Sequence, residues 1–261
     1  MENKLLLNLV QDRYEKFQRS YSIISTDFLD LAQQSAVSTI VRDYASEGAF
    51  FYGGYENADR RQIVFVPDYT GVESETEIFE YFKANPAECP VVVLDVTVTS
   101  KGAELKHSDY LGSLLALGIK REKTGDIMIR DGGAQILVSR EISAYLAENY
   151  TKAGRVSLKT KVLEISELTV KESKTEEKEI PVSSVRLDNI VSAVFGVSRK
   201  SAVEAINKGI VFVDSVETKK PDFFLRGGEK IVLRGKGKAI YNGVTGTSRK
   251  GKSYANFTRY I

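Results

Sequence analysis

Apolar residues recur at helical spacing from the start of the chain. Leu6, Val10, Tyr14, Phe17 and Tyr21 fall four, four, three and four residues apart, a single stripe along one helix. Ser25 or Thr26 offers an N-cap for a second helix. Its stripe is Leu29, Ala32, Ala36, Ile40 and Tyr44, and Gly48 stops it. Two short strands are expected at 49–55 and 61–67, with Phe50, Phe51 and Tyr52 as core. Residues 91–99 form a β-branched run, hence a strand. Ser108 caps a helix over 109–117 that Gly118 closes. Segments 126–130 and 134–138 flank Asp131-Gly132-Gly133, a hairpin signal. Ser139 caps a helix running to about 150, and 156–165 begins as an alternating, half-exposed strand.

The order from 91 to 165 is β-α-β-β-α-β, the ferredoxin-like arrangement shared by RNA-recognition domains. Those domains stack bases on sheet aromatics. The strands taken as central here, 126–130 and 134–138, carry no aromatic. This unit is therefore scaffold, or it binds RNA by another face. Residues 169–179 are dense in charge and read as a solvated linker ended by Pro181. Beyond it, Leu187, Ile190, Val191 and Val194 make one helix, broken by Gly196. Ser198 caps another, with Ala202, Ala205 and Ile206 inward and Gly209 as its stop. Short strands follow at 210–213 and 230–234. The chain is thus expected to be α+β: an N-terminal α+β domain (1–75), a ferredoxin-like domain (76–168), a linker (169–180), a compact helix-and-sheet domain (181–240) and a basic tail (241–261).

Composition sharpens this. The 261 residues carry 37 basic and 35 acidic side chains, a net charge of +2. From 182 to 261, however, there are 15 basic and 6 acidic side chains, against 22 and 29 before them. A basic third attached to an acidic remainder suggests a polyanionic partner, nucleic acid or acidic lipid. No apolar run approaches the ~20 residues that span a bilayer, and the N-terminus lacks the pattern of a secretory signal. One cysteine, Cys89, fits a reducing compartment, and one histidine, His107, leaves no zinc-ligand cluster. A cytoplasmic protein is expected.

Arg199 and Lys200 open a helix whose first-turn amides also favour anions, and the Ser198 hydroxyl joins them. Lys208 ends the same helix. Lys219, Lys220, Arg234, Lys236 and Lys238 come from neighbouring segments. Cations converging from several elements would neutralise a run of phosphates, with steep salt dependence. The ordered set Arg186-Leu187-Asp188, 198–202, 206–214, 219–221 and 227–238 resembles the S-four RNA-binding module. The likeness implies RNA contact by Arg186, Ser198, Arg199 and Lys200. Asp214-Ser215 and Glu229-Lys230 depart from its usual turns and leave the cations untouched. The stretch 109–129 resembles the middle domain of the YlmH family, and that likeness spans essentially the whole chain. It implies binding to stalled large-subunit–peptidyl-tRNA complexes in ribosome-associated quality control. The expected partners are ribosomal RNA, tRNA or both, and the large subunit. A monomer is expected, with no membrane, small-molecule substrate, cofactor or metal.

The rival is an RNA-modifying enzyme with this module as anchor. Arg186-Leu187-Asp188 matches part of a pseudouridine synthase pattern, but Val191 stands where Thr is expected, so Asp188 reads as structural. Gly53-Gly54 and Gly132-Gly133 fit turns better than a methyltransferase cofactor loop, and 235–238 lacks the rest of a P-loop. Cys89 with His107 has no nucleophile context; Cys89 reads as a small buried residue. His107 is a surface residue or an RNA contact. Arg121, Lys123 and Arg130 are candidates to widen the RNA footprint. The aromatic-basic tail either orders on RNA or docks as an ordinary C-terminus.

Overall fold

The computed structural model describes residues 2–100, 102–170, 175–247 and 252–260. The chain divides into two units, Met1–Val170 and Lys171–Ile261.

In the first unit, α1 (Glu2–Ser20) buries Val10 and Phe17, with Leu6 and Tyr14 partly covered. Tyr21 is exposed and lies beyond the helix end, at φ 45°. The expected cap at Ser25 or Thr26 is displaced. Ser25 belongs to β1 (Ile24–Ser25), and Asp30 caps α2 (Leu31–Asp43). Its carboxylate accepts from Gln33 N–H at 3.0 Å, while the Gln33 side chain accepts from Asp30 N–H at 2.9 Å, a reciprocal capping box. The later start moves the buried stripe onto Gln34, Val37 and Val41. Then come β2 (Ala49–Tyr52), β3 (Gln62–Phe65) and α3 (Glu75–Ala84). These strands form a sheet of order β1-β3-β2.

The second sheet is built from β4 (Val91–Val98), α4 (His107–Ala116), β5 (Thr124–Arg130), β6 (Gly133–Ser139), α5 (Ser143–Asn149), β7 (Lys152–Ala153) and β8 (Val156–Leu163). Its order is β5-β6-β4-β8-β7, antiparallel throughout, which is the ferredoxin-like topology plus one short strand. The central pair is β4 and β6, and 126–130 lies at the edge. Neither central strand carries an aromatic. Helix α4 begins after Lys106, whose N–H donates to Asp109 at 2.8 Å, so Ser108 is not its cap. Ser139 makes no capping bond; it is buried and accepts from Gln62 Nε2 at 3.1 Å.

Both faces of this sheet are covered. Val92, Leu94, Val96 and Ile136 pack with Tyr110, Leu114 and Leu146 of the helices. The alternate residues Val91, Val93 and Leu137 pack with Phe28, Tyr52, Ile78 and Phe82. A strand buried on both sides reads as a continuous apolar run, as 91–94 does. Segments expected as two domains, before and after residue 75, therefore share one core. Gly125 shows how close the approach is, because a Cβ there would lie 2.7 Å from the Phe28 ring.

The second unit starts at β9 (Thr175–Val182) and continues through α6 (Leu187–Phe195), α7 (Arg199–Asn207), β10 (Val211–Val213), β11 (Val216–Glu217), β12 (Glu229–Leu233), β13 (Gly237–Thr247) and β14 (Ser253–Tyr260). The sheet order is β11-β10-β12-β13-β14-β9. Residues 175–180, expected within a linker, are thus an edge strand. It pairs with β14 without slippage from Val182 opposite Ser253 to Thr175 opposite Tyr260. Main-chain pairing supplies what the charged side chains do not, and charge suits an exposed edge. The expected tail forms much of β13 and all of β14, and Tyr241, Ala255 and Phe257 are buried with the helices. The parts of the linker and tail calls at 171–174, 248–251 and 261 lie outside the described residues.

Phe28→Ala is expected to destabilise the first unit by about 3–5 kcal/mol, read as a lower urea midpoint.

Candidate nucleic-acid interface

Asp188 sits in the first turn of α6 with its side chain only 2% exposed. Two guanidinium groups close on it. Arg186, the N-cap residue of α6, donates through Nε at 3.2 Å and Nη2 at 3.3 Å. Arg199, first residue of α7, donates through Nε at 3.1 Å and Nη2 at 3.0 Å. Burial alone would push the Asp188 carboxyl up, but the bonds from Arg186 and Arg199 outweigh it and hold the group below the usual carboxylate range. One buried carboxylate thereby fixes two cations from different helices, and the cluster keeps a net positive charge. The arginine side chains remain 35% and 59% exposed, and neither uses Nη1 on Asp188.

Local sequence builds this geometry. Gly196 takes φ 64° and ends α6. Ser198 then caps α7, its hydroxyl accepting from Ser201 N–H at 3.0 Å. Lys200 is exposed in the same first turn. A loop docks alongside: Asp188 N–H donates to the Pro221 carbonyl at 3.0 Å and Leu187 N–H to that of Phe223 at 2.8 Å. Exposed Lys220 therefore adjoins the cluster.

The other predicted cations are not all brought to this place. Lys208 caps the far end of α7, about 13 Å along a helix of that length. Lys219 pairs with Glu217 at 2.8 Å. Phe212, Val232 and Lys238 lie side by side across three strands, alternating with residues that face the helices. The Arg234 guanidinium lies 5.5 Å from the Phe212 ring centre, and Lys238 Nζ lies 5.2 Å from that of Tyr260. Arg234 and Lys238 thus sit on the sheet face away from the helices, with Lys236 exposed in the adjoining turn. The set expected as one surface is a helix-start cluster and a separate sheet-face group.

The predicted trio of the first unit is engaged in internal bonds. Arg121 donates to the carbonyls of Thr124 and Gly125, and burial with neighbouring Arg60 pushes it down to about 10. Lys123 pairs with Asp27 and Glu141, and Arg130 with Asp95 at 2.8 Å. Cys89 is fully buried with Sγ 3.6 Å from the Tyr52 hydroxyl, and burial raises its thiol to about 11. That is opposite to a nucleophile's requirement. His107 is exposed at the start of α4. No helix among the described residues is long and apolar enough to cross a membrane.

Residues 185–231, which include Arg186, Asp188 and Arg199, match the S4 domain family. Residues 85–167 match the family described as "Putative RNA-binding domain in YlmH". Ribosome-associated protein quality control protein P2 of Bacillus subtilis is 28% identical over 243 residues, 93% of this chain and 89% of that protein. These matches show the likeness to the YlmH family expected from the sequence. A solved structure, cell division protein ylmH from Streptococcus pneumoniae, aligns with a TM-score of 0.45 at 19% identity, covering 62% of this chain and 92% of that one.

Asp188→Asn is expected to cost about 1–3 kcal/mol, since charge-assisted bonds to half-exposed arginines are lost. The depressed carboxyl contributes stability that is complete above the unfolded value near ~4 and fades as pH falls through the native one. Acid melts should therefore converge for the two proteins at low pH and separate at neutral pH.

Proposed function

We propose that this protein is a non-catalytic RNA-binding factor of the ribosome. It grips structured ribosomal RNA or tRNA, and its target is the stalled large subunit carrying peptidyl-tRNA in ribosome-associated quality control. The observation that carries the reading is the pair of arginines locked on buried Asp188 at two adjoining helix starts in an S-four domain. Preformed guanidinium forks suit phosphate recognition, and folded RNA is read mainly by shape and backbone. The name of the Bacillus subtilis relative supports the ribosomal setting.

Arg186, Ser198, Arg199, Lys200 and Lys220 make the main grip. Arg234, Lys236 and Lys238 contact a second stretch of RNA from the sheet face, with Lys208 and Lys219 at the far end of α7. The protein works as a monomer in the cytoplasm, without cofactor or membrane. A modifying enzyme finds little support in the cluster, because Asp188 is buried and committed to two cations.

Arg199 also holds Asp188, so reversing its charge would disturb the fold as well as the contact. Lys200→Glu with Lys220→Glu is the cleaner test. The pair should weaken co-sedimentation with large subunits about tenfold or more at moderate salt and flatten its salt dependence, with an unchanged thermal melt. Unchanged co-sedimentation would refute the proposed face. Ribosomal RNA incubated with the protein and an adenosyl donor, or assayed for uridine isomerisation, should stay unmodified; turnover would overturn the non-catalytic reading.

A further inference from the structure

Phe224 is 63% exposed, in a loop whose neighbours are cationic. It is paired as an isolated antiparallel bridge with Arg186. Residues directly opposite in such a bridge project to the same side with their Cβ atoms ~4.5–5.5 Å apart. The phenyl ring therefore stands beside Arg186, one of the two arginines on Asp188. No aromatic stacking or cation–π contact among the described residues occupies the ring. The loop that carries it is not slack. Leu187 N–H donates to the Phe223 carbonyl at 2.8 Å, Leu225 N–H to that of Val185 at 3.1 Å, and Phe223 N–H to that of Lys220 at 3.1 Å. Phe223 beside it is packed against the core, so only the second of the two phenylalanines is presented.

The residues near it are mostly cationic: Arg186 lies opposite in the bridge and shares Asp188 with Arg199, while Lys220 and Arg226 flank Phe224 in the loop, with Asp222 as the acidic exception there. An apolar protein partner would have to leave these charges without water. A nucleotide satisfies both features, since each base has a π-face and each phosphate a negative charge. Bases inside a duplex are already stacked, so the ring gains only from one that is not. We propose that Phe224, Arg186 and Arg199 form a site for a single unstacked nucleotide, base on the Phe224 ring and phosphate on the guanidinium pair. Asp188 is its positioning residue. The site rests on the RNA-binding reading above and adds to it a preference for RNA with an extruded base.

The test uses the full chain and two RNA hairpins, one fully paired and one with a single bulged 2-aminopurine. The wild-type protein should bind the bulged hairpin about tenfold more tightly and change its fluorescence. Phe224→Ala should lose that margin and the signal while keeping the salt dependence, because no phosphate contact is removed. Phe224→Tyr should retain both, which separates stacking from loss of fold. Equal effects of Phe224→Ala on the two hairpins, or none on either, overturn the nucleotide site and leave the RNA-binding reading standing. Failure of the wild-type protein to bind either hairpin overturns both.

Discussion

The C-terminal unit depends on one carboxylate. Asp188 is withdrawn from solvent where α6 begins, and a buried charge of this kind is tolerable only when fully matched. Arg186 and Arg199 match it and in turn lose freedom. A flexible arginine surrenders rotamer entropy whenever it grips a ligand; here folding has already taken most of that loss. The same contact ties the start of α6 to the start of α7, while the Asp188 N–H holds the loop that carries Pro221 and Phe224. Helix spacing, loop position and cation placement thus share a single anchor.

The first unit solves a different problem. An antiparallel sheet flanked by two helices normally leaves its other face open, and RNA-recognition domains use that face. Here Phe28, Tyr52, Ile78 and Phe82 close it. The middle domain's likeness to an RNA-binding family cannot then be served by stacking on this sheet. The arginines and lysine of β5 and the turn before it are likewise engaged in internal bonds to Thr124, Asp27 and Asp95.

Legibility followed the source of stabilisation. Where side-chain periodicity decides, as in 91–98, 124–139 and 187–207, the elements are where the pattern puts them. The second helix slipped because Asp30 and Gln33 together cap more strongly than an isolated Ser25 or Thr26. Strand β9 was hidden because its run from Glu176 to Glu179 is all Glu and Lys, which are depleted in strands; its pairing partner β14 lies more than seventy residues away in sequence. Of the candidate site, the residue types and the motif were legible, including the structural character of Asp188. The division of cations between helix starts and the opposite sheet face was not, since it follows from strand register. Phe224 gave only a faint signal, a pair of phenylalanines inside a basic loop.

Strand β14 lies between β13 and β9 and is the last element of the described chain. During synthesis the helices and their arginine clasp emerge well before it. The sheet cannot close until the final strand arrives to join an edge made long earlier. Contacts so distant in sequence form late, so the core beneath the two helices stays incomplete until Ala255 and Phe257 are in place.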